Sequence, residues 1–390
     1  MNVCMIAYTF YELDYRVRRY AELLVKQDNR VDVIALRRDG EPCNGIFKGV
    51  NVFRVQRRNY NEKGQLSYFF KICYFFIKGT LVLLKNHIRY RYRVIHIHNV
   101  PDYLVFMALI PKLMGARIIL DIHDILPEFY CQKFNKSMDT FLAKLLLRVE
   151  RVSVKFADHI IVANDIWREK IITRNELSPD KCTTLLNYPN MKFFNQQIPR
   201  SANETFKIIY PGTISHLHGL DIAIRALAIA KKEIPKILLD VYTRANNLRY
   251  YDYLKELINQ LGLNGNVKFY DPVPVEELNK IYNNADIGIV PKRGGVFAGE
   301  AFSTKILEYM AAGIPIIASK TRIDEYYFND SLIMFFKPED YQDLADCIVS
   351  LYRNQERRRS LIKKGKEYIA KNNWELKCRG YDNIIERLTE

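Results

Sequence analysis

The sequence predicts an α/β protein of two tandem, doubly wound domains, and three observations carry that prediction. The chain has 390 residues, which at roughly 100–200 residues per domain gives two domains. Its residues are 48% hydrophobic and 26% charged, a globular composition with enough apolar material for a core in each. Short apolar runs alternate with longer stretches of helical period, the pattern of strands and crossover helices in parallel sheets.

In chain order, Val3–Ala7 is a first buried strand. The opening MNVCMIAYTF has no basic segment ahead of a long apolar core, so it reads as that strand and not as a signal peptide. Val17, Ala21 and Leu24 fall at helical spacing and predict a helix over Tyr15–Lys26. Strands follow at Arg30–Leu36, Val94–His98 and Ala116–His123, with an apolar helix over Tyr103–Met114 between the last two. Ala157–Ala163 and Lys181–Asn187 close this half. Asn190–Glu204 has no periodicity and reads as a linker. Phe206–Thr213 opens the second half, and KILLDVY, NVKFYD, ADIGIVP and IPIIAS supply its further strands. The expected domains are residues 1–195 and 205–373, with a closing helix over 374–390. Ligands of such sheets bind beyond the carboxyl ends of the strands. Chemistry is therefore expected at Thr9–Asp14, His98–Asp102, His123–Glu128, Gly212–Gly219 and Lys292–Glu300.

The seven cysteines are scattered and form no C-x-x-C pair, which speaks against a disulfide framework or a zinc site and for a reducing compartment. The net charge of +15 is lopsided: residues 1–200 carry 32 Lys and Arg against 19 Asp and Glu, the remainder 27 against 25. A basic half implies nucleic acid, a phosphorylated substrate or acidic lipid as partner, or no more than a soluble face. Ser67–Lys85 is apolar and aromatic, close to the roughly 20 residues that span a bilayer. Lys71 and Lys78 interrupt it, at about 2.5–3.5 kcal/mol for a charge at a helix centre, so a spanning helix is not expected. A helix buried against the sheet is the first reading, and an interfacial helix with lysines reaching to headgroups the second. The following KNHIRYRYR adds basic and aromatic residues suited to an anionic membrane surface. RYRYR could also stack bases, but it leads into the Val94–His98 strand and no nucleic-acid module is present, so no nucleic-acid partner is expected.

Glu300 and Glu308 lie eight positions apart. On one helix they would sit about 80° apart around the axis and about 12 Å along it, and would not converge. Gly294, Gly295 and Gly299 instead make the approach a loop, Ser303 or Thr304 caps a helix, and Gly313 with Pro315 stops it. Glu300 then folds back from a loop towards Glu308 in the helix. The helix start at Ser303–Lys305 offers unpaired N–H groups and a positive dipole end, suited to a diphosphate. Two solvated carboxylates are the plainer alternative. In the first half, His96 and His98 are expected on opposite faces of their strand, His98 at its end and His96 inside. Arg16 and Arg19 share a helix face and either meet an anionic ligand or are solvated. Asp124 and Glu128 either bind hydroxyls or cap the next helix.

The two glutamates followed by EYMAAGIPIIAS resemble the donor-site motif of the retaining, GT-B type glycosyltransferases of the large family-4 class. YPGTISHLHGLDIAIRAL (Tyr210–Leu227) resembles the strand, loop and helix that open the second domain of that class. DYRVRRYAELLVKQDNRVDVIAL (Asp14–Leu36) resembles its first helix and second strand. VIHIHNVPD and LDIHDILPE resemble its two histidine-bearing strand ends, and NNWELKCRGYDNIIERL its closing helix, which in that fold crosses back to the first domain. The resemblance runs in order over nearly the whole chain. It implies the GT-B fold: two Rossmann-like domains with a cleft between them, the first for an acceptor and the second for a nucleotide-sugar.

The resemblance also implies roles. Glu308 would accept from two ribose hydroxyls, and Glu300 would face the donor sugar near the reacting carbon. Ser303, Thr304 and Lys305 would hold the diphosphate, with Lys305 offsetting charge on the leaving phosphate, and Gly212 would belong to the substrate-binding residues. Where the class has an arginine after the glycine and a lysine before the next one, this chain has Thr213 and His218. A histidine is cationic only in part near neutral pH, so Lys292, Arg293 or Lys305 would have to compensate. His123 would hydrogen-bond the sugar and orient the attacking group, with His98 nearby. Asp14 and Arg16 stand where the class has a glycine-containing first loop. There is no Asp-x-Asp pair and no His/Cys cluster with metal-ligand spacing, so no metal or other cofactor is expected. The implied reaction moves a hexosyl group, with retention, to a glycan or lipid-diphosphate-linked acceptor in surface-polysaccharide assembly. The expected location is cytoplasmic, peripheral on the inner membrane face. A nucleotide-sugar epimerase or hydrolase of the same fold is the alternative.

Overall fold

The computed structural model describes residues 1–58, 65–194, 205–244 and 248–390. The chain forms two compact units, Met1–Asn187 with Cys378–Glu390, and Tyr188–Lys377. Most of the expected linker lies outside the described residues. Tyr188–Phe194 belong to the second unit because Phe194 stacks on Tyr282 there.

The first unit holds β1 (Asn2–Ala7), β2 (Arg30–Arg37), β3 (Asn44–Phe47), β4 (Val50–Arg57), β5 (Val94–His98), β6 (Arg117–Ile122), β7 (His159–Val162) and β8 (Cys182–Thr184). They form one sheet in the order β3-β4-β2-β1-β5-β6-β7-β8. All pairs are parallel except β3 with β4. That edge hairpin turns at Lys48 and Gly49, both with positive φ (48° and 81°), as a type I′ turn requires. The strand order reverses between β1 and β5, so the loops leaving those two strands flank the switch point where ligands of such sheets bind.

Helix α1 (Tyr15–Lys26) starts at Asp14, whose carboxylate accepts from the N–H groups of Arg16 and Val17. Helix α2 (Gln65–Tyr90) is longer than expected. It turns Ile72, Phe75 and Leu83 inward and leaves Phe70, Tyr74, Ile77, Leu81 and Ile88 exposed. The expectation of a helix buried against the sheet therefore holds for one face alone. Among the described residues it is the one helix long and apolar enough, by length and composition, to cross a membrane. The helix expected over Tyr103–Met114 is two pieces, a 3-10 segment Asp102–Ala108 and a short α-helix Leu109–Leu113. A continuous helix would carry Pro111 in its interior, where it removes a backbone donor. The last helix, Arg379–Thr389, belongs to this unit: Tyr381 packs on Tyr20, ring centroids 4.5 Å apart.

The second unit holds β9 (Phe206–Pro211), β10 (Ile237–Tyr242), β11 (Val267–Tyr270), β12 (Ile287–Val290), β13 (Ile316–Ser319) and β14 (Met334–Phe336). The sheet is parallel throughout, in the order β11-β10-β9-β12-β13-β14. Its switch point lies between β9 and β12. The helix Thr304–Ala312 is anchored beneath it by the buried Tyr309, whose hydroxyl donates to the carbonyls of Ile209 (3.2 Å) and Ile289 (3.4 Å). One tyrosine thus ties the helix to both strands that bound the switch point.

Candidate active site

In the second unit, β9 ends at Pro211 and the chain turns at Gly212 with φ 147°. A Cβ on Gly212 would lie 2.6 Å from Lys305 Cε, so the absent side chain is what lets the lysine lie against this loop. The helix Thr304–Ala312 begins beside it. Its N-cap Ser303 makes no side-chain cap bond, and the buried Ser303 Oγ has no hydrogen-bond partner among the described residues. Lys305 Nζ lies 5.5 Å from the centre of the Tyr210 ring and, among the described residues, has no carboxylate or carbonyl in hydrogen-bond reach. Burial lowers the Lys305 ammonium from its ordinary value, against the pull of Glu308. Even a partly buried ammonium without a bonded counter-charge is costly, and this one stands at a helix start, where an anion is favoured.

Each glutamate has a side-chain partner of its own. Glu308 is partly buried, and its Oε2 accepts from Tyr282 Oη at 2.7 Å. Burial raises its carboxyl above the usual range, while Tyr282 and Lys305 oppose the rise. Glu300 is 6% exposed and takes a 2.7 Å bond from Arg322. Neither is a solvated surface carboxylate.

The other cations expected here are engaged elsewhere. Lys292 pairs with Asp324 at 2.9 Å and donates to the Ala301 carbonyl at 2.7 Å, so it straps the Glu300 loop to the unit and is not free to compensate at a diphosphate. Arg293 is bidentate on Asp221 at 3.0 and 2.7 Å. Thr213 is exposed, and its carbonyl accepts from His218 Nδ1 at 2.9 Å. Burial, then Lys305, pushes His218 down to about 4. It is therefore neutral near pH 7, where partial positive charge was expected. Of the candidate cations, Lys305 is the one still facing the loop.

In the first unit the histidines gather around one carboxylate. His96 and His98 were expected on opposite faces, but residues two apart on a strand share a face, and their rings stack with centroids 4.1 Å apart. Asp121, on the neighbouring β6, is buried beside them. His123 Nε2 lies 3.0 Å and His98 Nδ1 3.1 Å from Asp121 Oδ2. Burial opposes ionisation of Asp121, but Arg16 and the two imidazoles outweigh it and hold the carboxyl well below its usual range. Burial lowers both His96 and His98. His96, His98 and Asp121 place their ligating atoms within 4.8 Å of one another, a grouping that no linear spacing showed. Arg16 already occupies both oxygens of that carboxylate.

Arg16 is thus not an anion receptor. Its Nη1 also donates to Leu185 O (2.9 Å) and Asn187 Oδ1 (2.8 Å), so its donors are taken by the protein. Asp14 serves as the α1 cap. Glu128 pairs with Arg174 at 2.6 Å instead of facing a ligand. Sequence reasoning passed over Asp121, Tyr282 and Arg322. Asp121 was within reach of it, being two residues before His123; the other two meet their glutamates only through the fold.

Two family models cover most of the chain: Glycosyltransferase Family 4 matches residues 14–188 and Glycosyl transferases group 1 matches residues 191–368. The D-inositol 3-phosphate glycosyltransferase of Corynebacterium kroppenstedtii is 21% identical over 252 residues, which are 61% of this chain and 55% of that protein. The chain spans about half the length of most of the curated relatives it matches. Among solved structures, sucrose-phosphate synthase of Thermosynechococcus elongatus superposes with a TM-score of 0.78 at 19% identity, over 99% of this chain and 98% of that one. HepE of Anabaena, in complex with UDP and glucose, gives 0.73 at 15% identity, over 99% and 100%. At these identities the likeness to the solved structures is one of fold.

Proposed function

The chain belongs to the group 1, family-4 glycosyltransferases and shares their GT-B fold of two Rossmann-like domains, and on that premise we propose that it moves a hexosyl group, with retention, from a nucleotide-sugar to a glycan or lipid-diphosphate-linked acceptor. One observation carries this reading. Lys305, in the first turn of its helix, lies against the loop at Gly212, and the N-cap Ser303 of the same helix has a buried Oγ without a partner among the described residues. A diphosphate supplies what these groups lack: negative charge and acceptor oxygens. Glu308, steadied by Tyr282, takes the ribose hydroxyls. Glu300, steadied by Arg322, takes the donor sugar, and His123 orients the attacking group.

The departing diphosphate is stabilised by groups already in place, Lys305 and the helix N–H donors. The reading calls for no cofactor. HepE is solved in complex with UDP-glucose, so UDP-sugars are the first donors to test, with GDP- and ADP-sugars beside them. Calorimetry on the Glu308→Ala variant should show donor affinity down by about 10- to 100-fold, as for loss of hydrogen bonds to a charged group. Unchanged affinity would remove the donor-site assignment.

The acceptor side rests on α2. Its exposed stripe Phe70, Tyr74, Ile77, Leu81 and Ile88 lies beside exposed Lys78, Lys85 and Arg89. Apolar side chains flanked by basic ones suit an anionic lipid surface. The reading is a cytoplasmic enzyme, peripheral on the inner membrane face, acting in surface-polysaccharide assembly. Sedimentation with anionic vesicles should show binding that weakens with salt and with Ile77→Glu. Salt-independent or absent binding would leave a soluble acceptor.

A further inference from the structure

Asp121 is buried at the centre of the first domain's histidine cluster. Its Oδ1 accepts from Arg16 Nη2 at 2.6 Å and its Oδ2 from Arg16 Nε at 2.9 Å, so a guanidinium fork fixes the carboxylate plane. The same Oδ2 lies 3.0 Å from His123 Nε2 and 3.1 Å from His98 Nδ1. An ionised carboxylate has no hydrogen to give, so a nitrogen bonded to it carries the proton; the two nitrogens also lie 3.2 Å from each other, and with protons on both, each N–H is directed to Oδ2. The backbone of His123 is held as well, its N–H donating to Asn99 Oδ1 at 2.7 Å. Asn99 is held in turn by bonds from its Nδ2 to Asp102 Oδ1 and to the Asp124 carbonyl, both 2.8 Å. His123 is therefore gripped at its backbone and at one ring nitrogen, and its Nδ1 has no partner among the described residues.

We propose that Asp121 is a positioning residue of the transfer reaction, holding His123 in the tautomer protonated on Nε2 so that Nδ1 is presented as a hydrogen-bond acceptor. This rests on the reading of His123 as the histidine that meets the sugar. An acceptor nitrogen matches a hydroxyl, which has a proton to give, on either the donor sugar or the attacking group. Arg16 then acts one step further out. It orients Asp121, which orients His123, and this gives a buried arginine with no ligand a part in the reaction.

The test uses the full chain labelled with 15N-histidine, with the His123 signal assigned by its loss in His123→Gln. The wild type should show His123 protonated on Nε2. In Asp121→Asn, Arg16 keeps the amide oxygen and an N–H group turns towards His123. The ring proton should then move to Nδ1 and kcat should fall by about 10²-fold, the scale of a small misplacement of reacting groups, while UDP affinity stays unchanged. Wild-type His123 protonated on Nδ1 overturns the proposal without any variant, and decides the matter if Asp121→Asn does not fold. Wild-type kcat in a folded Asp121→Asn overturns it too. Failure of the underlying reading looks different: His123→Ala would then keep wild-type kcat, whatever its tautomer in the wild type.

Discussion

The two domains treat buried charge in opposite ways. In the first, Asp121 is buried and ionised, and every charge near it is answered by the protein itself: Arg16 forks onto it, and two imidazoles fill the remaining positions. In the second, Lys305 is partly buried and, among the described residues, has no bonded counter-charge, and the buried Oγ of Ser303 at the start of the same helix has no partner there either. A closed network stabilises the folded chain and fixes geometry. An open one costs the unliganded protein stability and reserves that free energy for a ligand of the missing sign. The contrast separates ligand candidates from scaffold: Arg16 is buried and fully bonded, while Lys305 is partly buried and, among the described residues, has no bonded counter-charge.

The largest effect expected from this contrast is at Arg16. Arg16→Met leaves Asp121 buried without its guanidinium, and breaking a buried pair costs about 3–5 kcal/mol. Denaturant unfolding followed by a probe in the first domain should show the loss, while UDP affinity, which the proposed function assigns to the second domain, stays at wild-type level. Wild-type stability in this variant would mean that the Asp121 network is not closed as described.

Lys305 should behave in the reverse sense. Lys305→Met removes a partly buried charge that has no bonded counter-charge among the described residues, so the unliganded protein keeps its stability or gains some. Nucleotide affinity should fall by about 10- to 100-fold, the worth of a charge-assisted bond of roughly 1.5–3 kcal/mol. A large loss of stability with unchanged UDP affinity would break the comparison, since Lys305 would then be scaffold like Arg16.

How much of this was legible follows from the range of the signals involved. The α/β class, the order of most strands and the Ser303–Gly313 helix are written in local periodicity and in cap and stop residues. The chain family is legible as well, in motifs that run contiguously. The β3–β4 hairpin was missed because Lys48 occupies a positive-φ position where Asn or Asp would have marked the turn. Arg16 was misread because its partner lies 105 positions away on β6. Nothing local distinguishes a solvated arginine from one forked onto a distant aspartate. Lys292 failed as a ligand for the same reason, with Asp324 brought to it by the fold. The His96 and His98 error was of another kind, since the two-residue period of a strand already places both on one face.

The smallest effect expected is also the most local. His218 in the second domain and His159 in the first are both pushed down to about 4, burial being the first cause in each. Unfolded histidines take up protons near pH 6.5, so between about pH 6.5 and 4 the unfolded chain binds more protons than the folded one. Stability therefore falls as pH drops through that window and is flat above it. His218→Gln and His159→Gln should each remove part of that fall. The two histidines should part company when nucleotide is added. His159 Nδ1 is bonded to Arg387 at 2.7 Å, within the closed domain. His218 is lowered in part by Lys305, whose charge a bound diphosphate would offset. NMR titration with UDP should therefore raise the His218 pKa and leave His159 where it was. A His218 indifferent to UDP would place the diphosphate away from Lys305 and return that lysine to the scaffold.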